Sequence, residues 1–291
     1  MRQRLIGLVL LAAAIAIAWA LVATAQANGA AWIGGLIGEE RMGTDAPLVE
    51  TLFNLLVFLP LLLLGVVGGA LDRRNALRPG ARPGVGLALG LAIGVGGLGA
   101  SVLYAWLAGT SSTGGAPSPS AGLLVWGLGI VLLQVAAEEV YFRGWLQPAL
   151  TARWGWTAGI VAGALAFAAL HVAGGARAPV SLLNLFLGGL MFGLLAARGG
   201  GLAAATAAHF AWNATEQLGL GLDPNPGVGS FGSVFDLELA GAPIWGGSDQ
   251  GLNGSVGMTI ALFAIVVPLA VLSWRRLPVA GPSAPPVLAT A

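Results

Sequence analysis

The sequence predicts an all-α integral membrane protein, a bundle of about eight transmembrane helices, and three observations predict it. Of the 291 residues, 57% are hydrophobic and 9% are charged, whereas a soluble domain carries roughly 25% charged residues, so the charges are too few to cover a water-facing surface. Stretches of roughly 20 mostly apolar residues, long enough to cross a bilayer, recur at 5–26, 50–71, 84–108, 121–152, 156–173, 181–197, 201–219 and 255–273. Lipid offers the backbone no hydrogen-bond partner, so such stretches form helices. The third observation is the segregation of arginine between alternate connections, which fixes orientation.

The first span follows Arg2 and Arg4 and ends near Ala23-Thr24-Ala25-Gln26-Ala27, which resembles a signal-peptidase site. Its apolar run is longer than the ~7–15 residues of a signal peptide, so a retained helix is expected. With the N-terminus inside, the inner segments hold Arg2, Arg4, Arg73, Arg74, Arg78, Arg82, Arg153, Arg198, Arg275 and Arg276, and the outer segments hold only Arg41 and Arg177. Acids concentrate outside, at Glu39, Glu40, Asp45, Asp223, Asp236, Glu238 and Asp249. An even number of spans with both termini cytoplasmic follows, in a multi-pass protein of a bacterial plasma membrane.

The third span carries Gly86, Gly90 and Gly94 at four-residue spacing, a small-residue stripe for close helix packing or a dimer face. The fourth and fifth spans turn at Arg153-Trp154-Gly155-Trp156 and form an antiparallel hairpin. Residues 220–254, rich in Gly, Pro and Asn, form an outer loop that could fold over the bundle. The organisation expected is one polytopic membrane domain, 1–276, with a catalytic core at about 120–217 and a disordered Pro/Ala-rich tail at 277–291. The net charge of +1 gives no electrostatic case for nucleic acid. The absence of Cys excludes disulfides, thiolate metal sites and Cys nucleophiles.

Chemistry concentrates in three places. Glu138 and Glu139 sit together on the fourth span, where each carboxylate costs ~2.5–3.5 kcal/mol at mid-bilayer on insertion scales. Arg143 lies four residues after Glu139 and suits an i,i+4 ion pair, which leaves Glu138, turned about 100° away, to face a cavity. Phe167 and His171 share a face of the fifth span, and His209 and Asn213 share one on the seventh, with Glu216 and Gln217 continuing it. Singly, each motif also fits a plainer role: charges in headgroups, an interface histidine, an interhelical hydrogen bond. Spacing joins the first two, because Glu138 precedes Gly155 by 17 residues and His171 follows it by 16, putting both roughly 25 Å from the turn. His209 is nearer its own inner end, so the hairpin tip is expected to protrude ~10 Å into the cytoplasm. The polar stretch 144–153 would then lead water from the cytoplasm to Glu138.

No His-Glu-x-x-His zinc motif is present, no Asp lies within an apolar span, and no Ser occupies a Gly-x-Ser-x-Gly setting. What remains is carboxylate plus imidazole. Glu and His can activate water while His and Asn donors stabilise an oxyanion. Alternatively, Glu138, His171 and His209 could hold a divalent metal such as zinc. Asn is a poor zinc ligand, so water activation without a metal cofactor is the preferred reading.

Glu138-Glu139-x-x-x-Arg143, Phe167-x-x-x-His171 and His209-x-x-x-Asn213, in this order on apolar helices, resemble the CPBP family of intramembrane endopeptidases, the CAAX prenyl protease type II and abortive-infection group. The resemblance covers roughly residues 120–217. It implies peptide-bond hydrolysis within the bundle, with a peptide or membrane-anchored protein as substrate. By position it implies that Glu138 and His171 activate water, that His209 and Asn213 stabilise the oxyanion, and that Glu139 with Arg143 braces the site. Two rivals stay open: a non-catalytic immunity or adaptor protein on the same fold, and a proton-coupled transporter using the same Glu and His residues.

Overall fold

The computed structural model describes residues 2–115, 119–225, 227–247 and 250–274. The expected tail at 277–291, Arg275, Arg276 and Asp249 lie outside the described residues. The chain is a helical bundle. In order come α1 (Arg2–Ile37), the short α2 (Glu39–Thr44), α3 (Ala46–Leu71), α4 (Pro83–Leu107), β1 (Ser111–Thr113) and α5 (Ala121–Glu139). A π-helical segment, Val140–Leu146, leads into α6 (Gln147–Trp154); α7 (Trp156–Ala173), α8 (Pro179–Gly199) and α9 (Ala203–Ala214) follow. A second π-turn, Thr215–Gly219, extends α9, and β2 (Leu222–Asp223), β3 (Leu237–Leu239), two 3₁₀ turns and α10 (Val256–Trp274) complete the order.

Among the described residues, seven helices are long and apolar enough to cross a membrane. The eighth expected pass, 201–219, is the shorter α9 with its π-turn. Residues Ala204, Ala205, Ala207, Ala208, His209, Ala211 and Trp212 of α9 are all buried. A helix enclosed by other helices is shielded from lipid and is released from the length that a lipid-facing span requires. Large apolar side chains instead face outward from the surrounding helices, among them Leu8 and Val9 on α1, Leu63 on α3, Val95 on α4 and Val267 on α10, as a lipid-facing surface demands.

The glycine stripe of α4 packs internally. A Cβ at Gly90 would run into the carbonyl oxygen of Ala204, and one at Gly94 into that of Ala208. The stripe therefore lets α4 and α9 approach backbone to backbone, which leaves it no room to serve as a dimer face. On α3, a Cβ at Gly65 would stand 2.8 Å from the Tyr141 backbone, so the π-segment is seated in a glycine notch.

α1 runs past the expected boundary near residue 26 to Ile37; the small residues of Ala-Gln-Ala-Asn-Gly continue the helix rather than breaking it. It packs on the hairpin through Tyr141, whose hydroxyl donates to the Ala14 carbonyl at 2.8 Å, and through Trp154, whose Nε1 donates to the Arg4 carbonyl at 3.3 Å. Gly155, with φ of 83°, makes the expected sharp turn between α6 and α7; glycine adopts this left-handed region without strain.

The connections gather at two ends. At one, Arg153 pairs with Asp72 at 3.4 Å, and Leu202 N–H donates to the Arg78 carbonyl at 2.9 Å. This end carries the arginines of the 72–82, 153–155 and 198–202 connections. At the other, β1 pairs antiparallel with β3, and β2 pairs parallel with it, in the order β1-β3-β2. The expected outer loop is thus a structured cap, anchored by the fully buried Phe231 against α5.

Candidate active site

The site lies where α5, α7, α8 and α9 meet; α7 and α8 are the most buried of the membrane-crossing helices. Adjacent positions on α5 point different ways, and this separates the two glutamates. Glu139 is wholly buried, and its Oε1 accepts from Arg143 at 2.9 Å and from His209 Nδ1 at 2.9 Å. The other Arg143 terminal nitrogen donates to the Gly189 carbonyl of α8 at 3.0 Å. The guanidinium lies over the rings of Phe167, Phe192 and Phe142, 4.5 to 5.7 Å from their centroids, an arrangement that stabilises a cation removed from water. Glu139 Oε2 and Arg143 Nε have no hydrogen-bond partner among the described residues.

Glu138 faces a cavity of about 640 Å³, also lined by Phe167, His171, His209 and Asn213. Its Oε2 stands 3.7 Å from His209 Nε2. The imidazole of His209 is stacked on Phe192, with centroids 4.4 Å apart, which fixes the ring plane. A carboxylate can only accept, so His209 Nδ1 carries the proton it gives to Glu139, and Nε2 points towards Glu138. His171 Nδ1 is 2.9 Å from the Phe167 carbonyl, one turn back on α7. It donates there, and in the neutral ring Nε2 keeps a free lone pair. The expected ion pair of Glu139 with Arg143 and the cavity-facing position of Glu138 are both present, and Glu138, His171, His209 and Asn213 share one cavity.

The fit to a metal is poorer. Among the described residues no three His, Asp or Glu side chains are grouped as a metal site. His209 Nδ1 is engaged by Glu139 and His171 Nδ1 by a carbonyl, which leaves Nε2 of each ring as the nitrogen available for chemistry. The alternative set of Glu138, His171 and His209 does not form a ligand cluster in this geometry.

Two expectations need correction. The stretch 144–153 is not a path for water. Gln147 is buried and donates to the Gly193 carbonyl at 3.0 Å, and Leu146, Ala149 and Leu150 are buried beside it. A Cβ at Gly144 would meet the Ala76 carbonyl. The Gln147–Gly193 bond sets the first turn of α6 beside α8, and Arg153 in its last turn pairs with Asp72 at the end of α3, so the tip is level with the neighbouring connection. Instead the cavity opens at the capped end, where its wall includes Gly174, Ala176, Asn225, Gln250 and Asn253. Its lining contains no residue of 72–82, 147–156 or 197–203. Gln147 and Arg153 donate to protein carbonyls, at Gly193 and Ala149, so polar composition does not make that stretch a channel.

Sequence reasoning missed Asn54, Gln134 and Asn184, which also line the cavity. Gln134 donates to Asn54 Oδ1 at 2.6 Å, and Asn184 donates to the carbonyls of Asn253 and Ser255 at the base of α10. The available signal was a polar amide within an otherwise apolar span, which is costly unless it faces a partner or a cavity.

Residues 120–215 match a family model described as Rce1-like, the type II CAAX prenyl endopeptidases. The matched segment contains every motif residue named above, from Glu138 to Asn213. It concerns the CAAX endopeptidase group and does not bear on the abortive-infection group. No curated protein and no solved structure matches the chain.

Proposed function

We propose that this chain, a CAAX-protease-like multi-pass membrane protein whose residues 120–215 carry the type II CAAX prenyl endopeptidase family, is an intramembrane endopeptidase that hydrolyses peptide bonds with water activated by Glu138 and His171. The observation that carries this reading is the shared cavity. An unbraced carboxylate, Glu138, faces it beside a histidine that Glu139 holds in one tautomer, and beside a second histidine with a free Nε2. A merely structural ion pair needs none of these.

Water held between the Glu138 carboxylate and His171 Nε2 gives a proton to Glu138 as its oxygen attacks the scissile carbonyl carbon. The resulting oxyanion is met by the Asn213 amide and by His209 Nε2. With Nδ1–H committed to Glu139, His209 donates from Nε2 as the imidazolium. Collapse of the intermediate breaks the C–N bond, and Glu138 returns its proton to the leaving amine.

The test is mass spectrometry of membrane-derived peptides from cells carrying the wild type or Glu138→Ala. Fragments present only with the wild type support hydrolysis. Identical peptide sets, with any cellular phenotype retained by the variant, would instead favour the adaptor. By the arginine asymmetry, the arginine-bearing end faces the cytoplasm and the cavity mouth faces outward. Single Cys residues at Thr44 and Leu77, both exposed at opposite ends, report this. An impermeant thiol reagent is expected to label position 44 on intact cells and position 77 only after lysis; the reverse pattern inverts the orientation.

A further inference from the structure

We infer that Glu216 forms a cation subsite in the cavity, binding the ammonium or guanidinium group of a basic residue, or a free amine, on the mouth side of the scissile bond. The inference rests on the peptidase reading for its biological meaning, but its physical basis is separate. Glu216 is 5% exposed, lines the cavity, and has no hydrogen bond or ion pair among the described residues. It stands on the π-turn that continues α9, three residues beyond Asn213 and seven beyond His209. That rise is about 10 Å along the helix towards the mouth.

The other acids of the cavity differ from Glu216. Both oxygens of Glu50 accept backbone N–H groups, from Gly229 at 3.1 Å and Ser230 at 2.8 Å. Glu138 stands beside His209. Neighbouring Gln217 spends its side-chain oxygen on Val228 N–H at 3.1 Å. No arginine lines the cavity among the described residues, and Arg143, below the cavity, is engaged by Glu139 and Gly189. A buried carboxylate is costly without a partner; the described residues supply none, so the counter-charge comes from what enters the cavity. An extended peptide advances about 3.3 Å per residue. A basic side chain about three residues from the scissile bond therefore reaches Glu216 while the carbonyl oxygen faces His209 and Asn213.

Two measurements on the purified full chain test this. In the first, n-butylammonium chloride, the head of a lysine side chain, is titrated against n-butanol and matched sodium chloride while the thermal midpoint is followed. Butylammonium is expected to raise the midpoint of the wild type and of Glu138→Gln, and to leave Glu216→Gln at its sodium chloride value. Glu216→Met serves where the Gln variant does not fold. An equal butylammonium response with and without Glu216 overturns the subsite. In the second, cleavage of paired peptides that differ by Lys or norleucine is measured. The wild type is expected to favour Lys at one position, three or four residues from the cut, by at least ~10-fold in kcat/KM, and Glu216→Gln to lose that preference while still cutting the norleucine peptide. Cleavage without any basic preference also overturns the subsite. A Glu216-dependent butylammonium response in a protein that cuts nothing would leave the subsite standing and remove the peptidase reading.

Discussion

Below Glu138 and above it, the same kinds of polar side chain meet opposite fates. On the floor, Glu139, Arg143 and Gln147 are buried and tied to protein: to each other, to His209, and to the Gly189 and Gly193 carbonyls of α8. In the cavity, Glu138, His171, Asn213 and Glu216 face open volume. Composition does not separate the two regions, since each holds a Glu on or near the same helices. Direction does: Glu138 and Glu139 are neighbours turned about 100° apart, one into space and one into a cation. A buried charge tied to protein partners is architecture, whereas one that faces a cavity is available for chemistry.

The largest expected effect tests that division directly. Glu138→Gln is expected to lower peptide hydrolysis by ~10²–10⁴-fold with little change in thermal midpoint, because the amide fills the same volume and no protein partner is orphaned. Glu139→Gln is expected to destabilise by about 3–5 kcal/mol, the cost of leaving a buried cation without its partner. It also replaces the carboxylate that braces His209 with a neutral amide, so activity is expected to fall with it. Denaturation in mild detergent beside a cleavage assay separates the two. Equal destabilisation by both variants would erase the distinction between floor and cavity.

Removing both charges of the floor sharpens the comparison. Glu139→Gln with Arg143→Met leaves no unpaired ion, so most of the stability lost in either single variant is expected to return, as found generally when a buried pair is replaced by apolar groups. Activity is not expected to return, because the brace on His209 is still missing. A double-mutant cycle reads the coupling. A double variant as unstable as the sum of the singles would mean that Glu139 and Arg143 act independently.

Much of this was legible in the sequence, for physical reasons that also mark where legibility ends. Seven of the eight expected spans are long apolar helices, because lipid penalises any other backbone state; the eighth, 201–219, is enclosed by the others. Glu139 with Arg143 read correctly because i,i+4 geometry is local, and the level of Glu138 with His171 followed from counting residues either side of Gly155. The second partner of Glu139, His209, is 70 residues away and no local rule reaches it. Nor does one reach the π-segments at 140–146 and 215–219, which flank the site as such segments often do. The mouth was misjudged because Gln147 and Gly144 look solvated by composition, whereas Gly193 and Ala76 close over them.

A smaller effect is expected where the bundle holds α9, and with it His209 and Asn213, in place. Gly94→Leu drives a side chain into the Ala208 carbonyl and is expected to cost about 1–3 kcal/mol as overpacking. Activity should fall too, since α9 must shift. Gly96, two residues on, has nothing within 4 Å of its would-be Cβ. Gly96→Leu is therefore expected to be neutral or to stabilise by up to ~1 kcal/mol through helix propensity. Thermal midpoints of the two variants decide it, and comparable losses would mean that propensity and not the α4–α9 contact governs.

The smallest effect concerns the cap over the cavity. Glu50 near the start of α3 accepts from Gly229 and Ser230 with its two oxygens, joining a membrane helix to a loop otherwise held by the β1-β3-β2 sheet and Phe231. Glu50→Gln keeps one acceptor oxygen and places an N–H₂ donor where the second N–H arrives, so one of the two bonds is lost. A hydrogen bond to a charged group contributes about 1.5–3 kcal/mol, and cap and bundle keep their other contacts, so global stability should move little. Local opening should move more: amide exchange at 229 and 230 is expected to accelerate by roughly 10-fold or more, with the floor amides around Gly189 unchanged. Faster exchange with unchanged hydrolysis makes the Glu50 contact an anchor only. Faster exchange with a raised kcat/KM makes cap opening part of substrate entry, and unchanged exchange would mean that the sheet and Phe231 hold the cap without Glu50.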